Sequence, residues 1–185
     1  MGSSIVRNAF LHARHTYEGP NLNMNRYGYT IWWQGKWGLK WRDLVPRLVF
    51  LSNFESPPSV LVIHCGGNSI DQTPLFDLRA EIHFSLNQIK VMFPETKLVW
   101  SQILPRSNWR YSENMKALNH AAKRINNSAA QICNQMGRGG SYYIKYSELA
   151  WNQTVLFAED GVHLSDLGNG FFLYRLQMKL YDLIM

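Results

Sequence analysis

Cysteine is scarce: Cys65 and Cys133 are the only two in 185 residues. Two thiols in a chain long enough to bury its own core read as buried, reduced cysteines rather than as a disulfide staple, and a reducing, cytoplasmic compartment is expected. Long apolar runs are missing as well, and none approaches the roughly 18 residues a membrane helix needs. The opening MGSSIVRNAF lacks the charged segment and apolar stretch of a secretory leader. Neither a P-loop nor a G-x-G-x-x-G turn is present, which argues against the common nucleotide cradles. The histidines, His64 among them, show no ligand spacing with the cysteines, so no metal and no cofactor is expected. No repeat, low-complexity tract or linker divides the chain, and a single domain over 1–185 follows.

What is present is apolar and basic. Hydrophobic residues make up 46% of the chain, with 7 Trp, 9 Tyr and 9 Phe, enough for one sizeable core. The net charge of +6 would suit a polyanionic partner such as RNA or an anionic membrane. The basic residues are scattered without a run of five, a pattern that a solvated surface also explains.

Hydrophobic spacing gives the order of elements. SSIVRNAFLHAR (3–14) predicts a helix that starts almost at the first residue, with serines able to cap it. YGYTIWW (27–33) reads as a strand from its aromatic and β-branched content. A glycine-punctuated turn and a helix with Pro46 near its first turn follow. SVLVIHC (59–65) reads as a strand buried on both faces, 74–93 as an amphipathic helix, and TKLVWSQIL (96–104) as another strand. A long helix is expected from about Tyr111 to Met136, ahead of glycines at 137, 139 and 140, then a strand over 141–147 and a last helix from about Asp166 to Ile184. The alternation predicts a three-layer α/β domain with a mostly parallel sheet.

In such sheets, sites form at the carboxyl ends of the strands. Four loops should meet there: Gly2-Ser3-Ser4, Gly35-Lys36-Trp37-Gly38, Gly66-Gly67-Asn68, and Asp160 to Ser165. A serine at a helix start lies beside free backbone N–H groups that can stabilise an oxyanion, and a glycine N–H and an asparagine amide can complete the hole. His163 could take the proton of Ser4, while Asp160, three residues before it, accepts the other imidazole N–H and fixes the tautomer. Each element taken alone has a plainer reading, Ser4 as a helix cap and Gly38 or Asn68 as turn formers. The four tryptophans 32, 33, 37 and 41 could line an acyl pocket, or at least two of them could simply pack in the core.

In this order the blocks resemble those of the SGNH (GDSL-type) hydrolases over nearly the whole chain. Gly2-Ser3-Ser4-Ile5 matches the nucleophile block, Gly35 through Leu44 the second, Gly66-Gly67-Asn68-Ser69 the third, and Asp160-Gly161-Val162-His163-Leu164 the last. The resemblance implies a flavodoxin-like three-layer fold with a five-stranded sheet. It implies a catalytic Ser4, Asp160 and His163, and an oxyanion hole of Ser4, Gly38 and Asn68. It departs from the pattern where aspartates usually stand, at Ser3 and Ser69, which puts the ordering of those loops in question. Within the family, the lipid acetylhydrolases of the platelet-activating-factor type are similar. IWWQGKWGLKW beside HCGGNSI resembles the esterase domain of first-reading-frame proteins of vertebrate LINE-type retrotransposons.

The expected activity is hydrolysis of a short acyl ester, possible lipids included, through an acyl-enzyme. The competing expectation is a catalytically impaired module of the same fold that binds RNA or an anionic membrane. The family's first strand would lie before Gly2, so the expectation is also of a truncated first strand, marginal stability and poor activity.

Overall fold

In the computed structural model, residues 1–109, 112–137 and 140–185 are described. Five helices and three strands alternate: α1 (Ser4–Ala13), α2 (Leu44–Leu51), β1 (Val60–Ile63), α3 (Leu75–Met92), β2 (Lys97–Ser101), α4 (Met115–Met136), β3 (Tyr143–Ile144) and α5 (Asp166–Ile184). Tyr111 and Gly139, the expected helix start and a glycine beyond its end, lie outside the described residues. The strands are parallel in the order β1-β2-β3, with Val60 beside Lys97 and Trp100 beside Tyr143.

The period-2 alternation of a strand sorts β2 between two helical layers. Trp100 sends its indole N–H to Asn126 Oδ1 on α4 (2.9 Å). Ser101, one residue on, faces the other way: its Oγ lies 2.7 Å from Tyr146 Oη and 3.0 Å from His64 Nδ1, and the Tyr146 ring stacks on Phe172 of α5. α3 packs against α4, and α1 against α5. Three layers result, with fully buried Ile63, Leu86, Val99 and Trp100 at the centre. Both cysteines are buried and free, and burial pushes each thiol up to about 12.

The sheet is narrower than the five strands the family resemblance implied. The segment 27–33 closes a 3₁₀ turn (Met24–Tyr27) and then runs extended without a ladder. High β-propensity describes a side chain's fitness for a pleated surface, but a strand exists only where its backbone has a partner. Here that partner is two residues long. Gly2 N–H donates to Gln34 O and Lys36 N–H to Gly2 O (2.9 Å each), while on the other side Met1 N donates to Val62 O (2.9 Å) and His64 N–H to Met1 O (3.0 Å). Met1 and Gly2 thus stand between β1 and the extended segment 29–34, in the place of a central strand. The approach is tight: a Cβ on Gly2 would lie 2.4 Å from His64 O, so only glycine fits.

Candidate active site

Ser4 is the first residue of α1, so its own N–H has no acceptor one turn earlier in the helix. Ser3 occupies the N-cap position, but its side chain makes no capping bond, unlike the expected serine cap. The Ser4 side chain is nearly buried and its Oγ lies 2.9 Å from His163 Nε2. Those two residues are 159 positions apart.

Asp160 and His163 belong to one tight turn before α5. Asp160 Oδ1 accepts the backbone N–H groups of Val162 and His163 (2.9 Å each), and Oδ2 lies 2.5 Å from His163 Nδ1. A carboxylate only accepts, so Nδ1 carries the proton and Nε2 is left to accept from Ser4. The turn needs Gly161, whose φ is +66° and where a Cβ would meet Ser107 Oγ at 2.2 Å. Partial burial raises the Asp160 pKa, but the N–H groups of His163 and Val162 and the imidazole outweigh it, and the carboxyl sits below its ordinary value. The carboxylate is 49% exposed and the imidazole 24%.

The donors expected to hold an oxyanion are tied to each other. Asn68 Nδ2 donates to Leu39 O (3.2 Å), beside Gly38. Among the described residues, no acceptor takes the Gly38 N–H. Ser69, where an aspartate was expected, is buried and its Oγ accepts the Trp41 N–H (2.9 Å), so it orders the loop that its replacement had put in question.

Three groups of contacts were not anticipated. Arg106, from the loop after β2, donates to Asn68 Oδ1 (3.2 Å), which settles which end of the amide faces Leu39. Ser107 N–H donates to Gly161 O (3.0 Å) and Asn108 Nδ2 to Asp160 O (3.3 Å), so the same loop braces the His163 turn. Trp37 meets the His163 ring edge to face at 5.9 Å and lies under Arg7 at 5.0 Å. The loop after β2 opens at the carboxyl edge of the sheet, a position that signals a site, but its residues carry no spacing that would mark them. Of the four tryptophans, Trp41 is in the core, Trp33 packs against it, Trp37 covers His163, and Trp32 is 51% exposed.

Neither a family model nor a curated protein matches this sequence. Solved structures do. A candidate acylhydrolase from Bacteroides fragilis superposes with a TM-score of 0.72 at 17% identity, over 100% of this chain and 86% of its own. A member of the lipolytic G-D-S-L family from Veillonella parvula gives 0.68 at 13% identity, over 96% and 93%. A carbohydrate esterase of family 3 from Talaromyces cellulolyticus gives 0.64 at 15% identity, over 100% and 95%. The chain therefore has the α/β fold of the SGNH (GDSL-type) hydrolases, with a mostly parallel sheet. At such low identity the likeness is one of fold, and the chemistry rests on the residues described above.

Proposed function

We propose that the protein is a serine esterase that hydrolyses short acyl esters. The observation that carries this reading is the continuous chain from Ser4 Oγ to His163 Nε2 (2.9 Å) and from Nδ1 to Asp160 (2.5 Å). As Ser4 attacks the ester carbonyl, His163 takes its proton and Asp160 stabilises the imidazolium. The oxyanion is held by the N–H groups of Ser4 and Gly38 and the Asn68 amide, donors fixed before the reaction begins. His163 then protonates the leaving alkoxide, and water, activated by the same imidazole, releases the acid and frees Ser4. A short acyl group is favoured because the apolar groove of about 570 Å³ between β1 and the extended segment 29–34, a space wide enough for a longer chain, is not lined by Ser4 or His163. Trp37, 56% exposed beside His163, offers an open apolar face to the substrate instead.

A fluorophosphonate probe should label Ser4, and Ser4→Ala should abolish labelling and reduce ester turnover by on the order of 10⁴- to 10⁶-fold. Folded wild-type protein that takes no label would overturn the reading. The placement of the chain as the esterase domain of a retrotransposon first-frame protein is supported by its tryptophan-rich second block, and a lipid ester is the finer substrate reading. The net charge of +6 supports a second role, salt-sensitive binding to RNA or anionic vesicles that Ser4→Ala leaves unchanged.

A further inference from the structure

Asn68 carries a primary amide with a donor end and an acceptor end, and an oxyanion needs the donor end. The two ends are alike in size, so shape alone does not select the orientation. Here the neighbours select it. Nδ2 donates to Leu39 O (3.2 Å), and Oδ1 accepts from Arg106 Nη2 (3.2 Å). A carbonyl oxygen only accepts and a guanidinium only donates, so a flipped amide would set oxygen against oxygen and N–H against N–H. Leu39 follows Gly38, and these contacts therefore also tie the amide to the loop that carries the Gly38 N–H.

Arg106 is itself held from three directions. Its backbone N–H donates to Asn119 Oδ1 (2.9 Å) and its C=O accepts from Asn119 Nδ2 (2.8 Å), a clamp from α4 on both sides of one residue. Its guanidinium lies 4.8 Å from the ring centre of buried Trp109. Nη2 also packs on the backbone of Gly67, where a Cβ would lie 2.7 Å from it. A long side chain free to rotate loses rotamer entropy when it makes a bond, whereas one already fixed holds its partner at little further cost.

We propose that Arg106 is a positioning residue of the oxyanion hole. It keeps the Asn68 amide in one orientation, with Nδ2 on the side of the Gly38 loop, and its charge makes the Nδ2 hydrogens stronger donors. A hydrogen bond from a cation is stronger than one between neutral groups, and linked hydrogen bonds polarise one another. The gain grows as negative charge develops on the substrate oxygen, so it lowers the barrier more than it tightens binding. This inference rests on the esterase reading.

The test is a double-mutant cycle read on p-nitrophenyl acetate. Arg106→Met keeps an unbranched apolar stem on Trp109 and removes the charge and the donors. It should lower kcat about 10- to 100-fold, with KM within about twofold of wild type. In an Asn68→Ala background the same substitution should cost less than about twofold, because the group it acts through is gone. Arg106→Lys, which keeps the charge and a donor, should restore a large part of the loss. Should Arg106→Met fail to fold, as thermal unfolding would show, Arg106→Gln keeps a neutral donor and carries the same cycle with a smaller, equally non-additive loss. An unchanged kcat, a rise in KM alone, or a loss of the same size in both backgrounds would overturn the proposal and leave the esterase reading in place. Folded wild type with neither turnover nor fluorophosphonate labelling would overturn both.

Discussion

The loops around Ser4 and the groove beside β1 are built from similar material and finished differently. At the carboxyl edge of the sheet, the turn 160–163, the Asn68 loop and the loop after β2 brace one another through Asn68–Arg106, Asn108–Asp160 and Ser107–Gly161 bonds. Along the groove, the extended segment 29–34 has high β-propensity but no ladder, and among the described residues Gly2 alone bridges its end to β1. Local polar contacts can order the loops of a candidate site beside a segment that has no ladder, because turn chemistry acts over a few residues while a sheet needs its neighbours.

That contrast can be broken first at the site. Asp160→Asn keeps the size of the side chain but no longer holds the tautomer, and should lower kcat by about 10⁴-fold with little loss of fold, measured on any ester that wild type cleaves. Asn68→Ala removes one oxyanion donor and should cost about 10²- to 10³-fold in kcat, with KM nearly unchanged. Restored activity in Asn68→Asp would argue against the amide as donor.

The comparison sharpens in stability. Asn126 is buried and accepts from Trp100 Nε1 and Ile103 N–H while donating to Ile103 O. Asn126→Ala strands these groups and should cost about 3 kcal/mol in chemical denaturation. Trp32→Ala, on the groove wall, should change stability by less than about 0.5 kcal/mol. Equal effects would mean that the groove wall is packed as firmly as the core.

A further difference lies in pH. Burial, with help from the nearby Met1 amine and Arg106, lowers the His64 pKa to about 3. The unfolded chain binds a proton there near pH 6.5, so stability is full above that value and falls as pH drops toward 3. His64→Gln should flatten this slope in a series of denaturation midpoints. Asp160, whose folded pKa is lowered, acts further down: its contribution is present above its unfolded value and disappears as pH falls through the folded one. A wild-type slope identical to that of His64→Gln would show that His64 is not held neutral.

The sequence made some of this legible and hid the rest for physical reasons. Asp160 and His163 could be read because their contact is set by three residues of local geometry. The helices were legible from their spacing, down to α5 at Asp166–Ile184. Ser4 reaching His163 was legible only through the expected fold, whose loops should meet at the carboxyl edge of the sheet, and through resemblance to known blocks, since nothing local relates residues 159 positions apart. Arg106 left no signal, and Trp37 was legible only as one of four tryptophans that could line a pocket, because their contacts depend on which loops meet. The segment 27–33 misled because its composition reports on side chains and its structure on the partner it lacks.

Ser4 opens α1 and His163 immediately precedes α5, and these two helices pack on each other. The 2.9 Å contact between Ser4 and His163 joins positions 159 apart. The His163–Asp160 pair assembles within a few residues of chain, but Ser4 joins it only when α1 and α5 dock. Turnover by the proposed esterase would therefore gauge the docking of α1 on α5. On heating, it should vanish while β1, β2 and α4 are still intact, as soon as either terminal helix swings away.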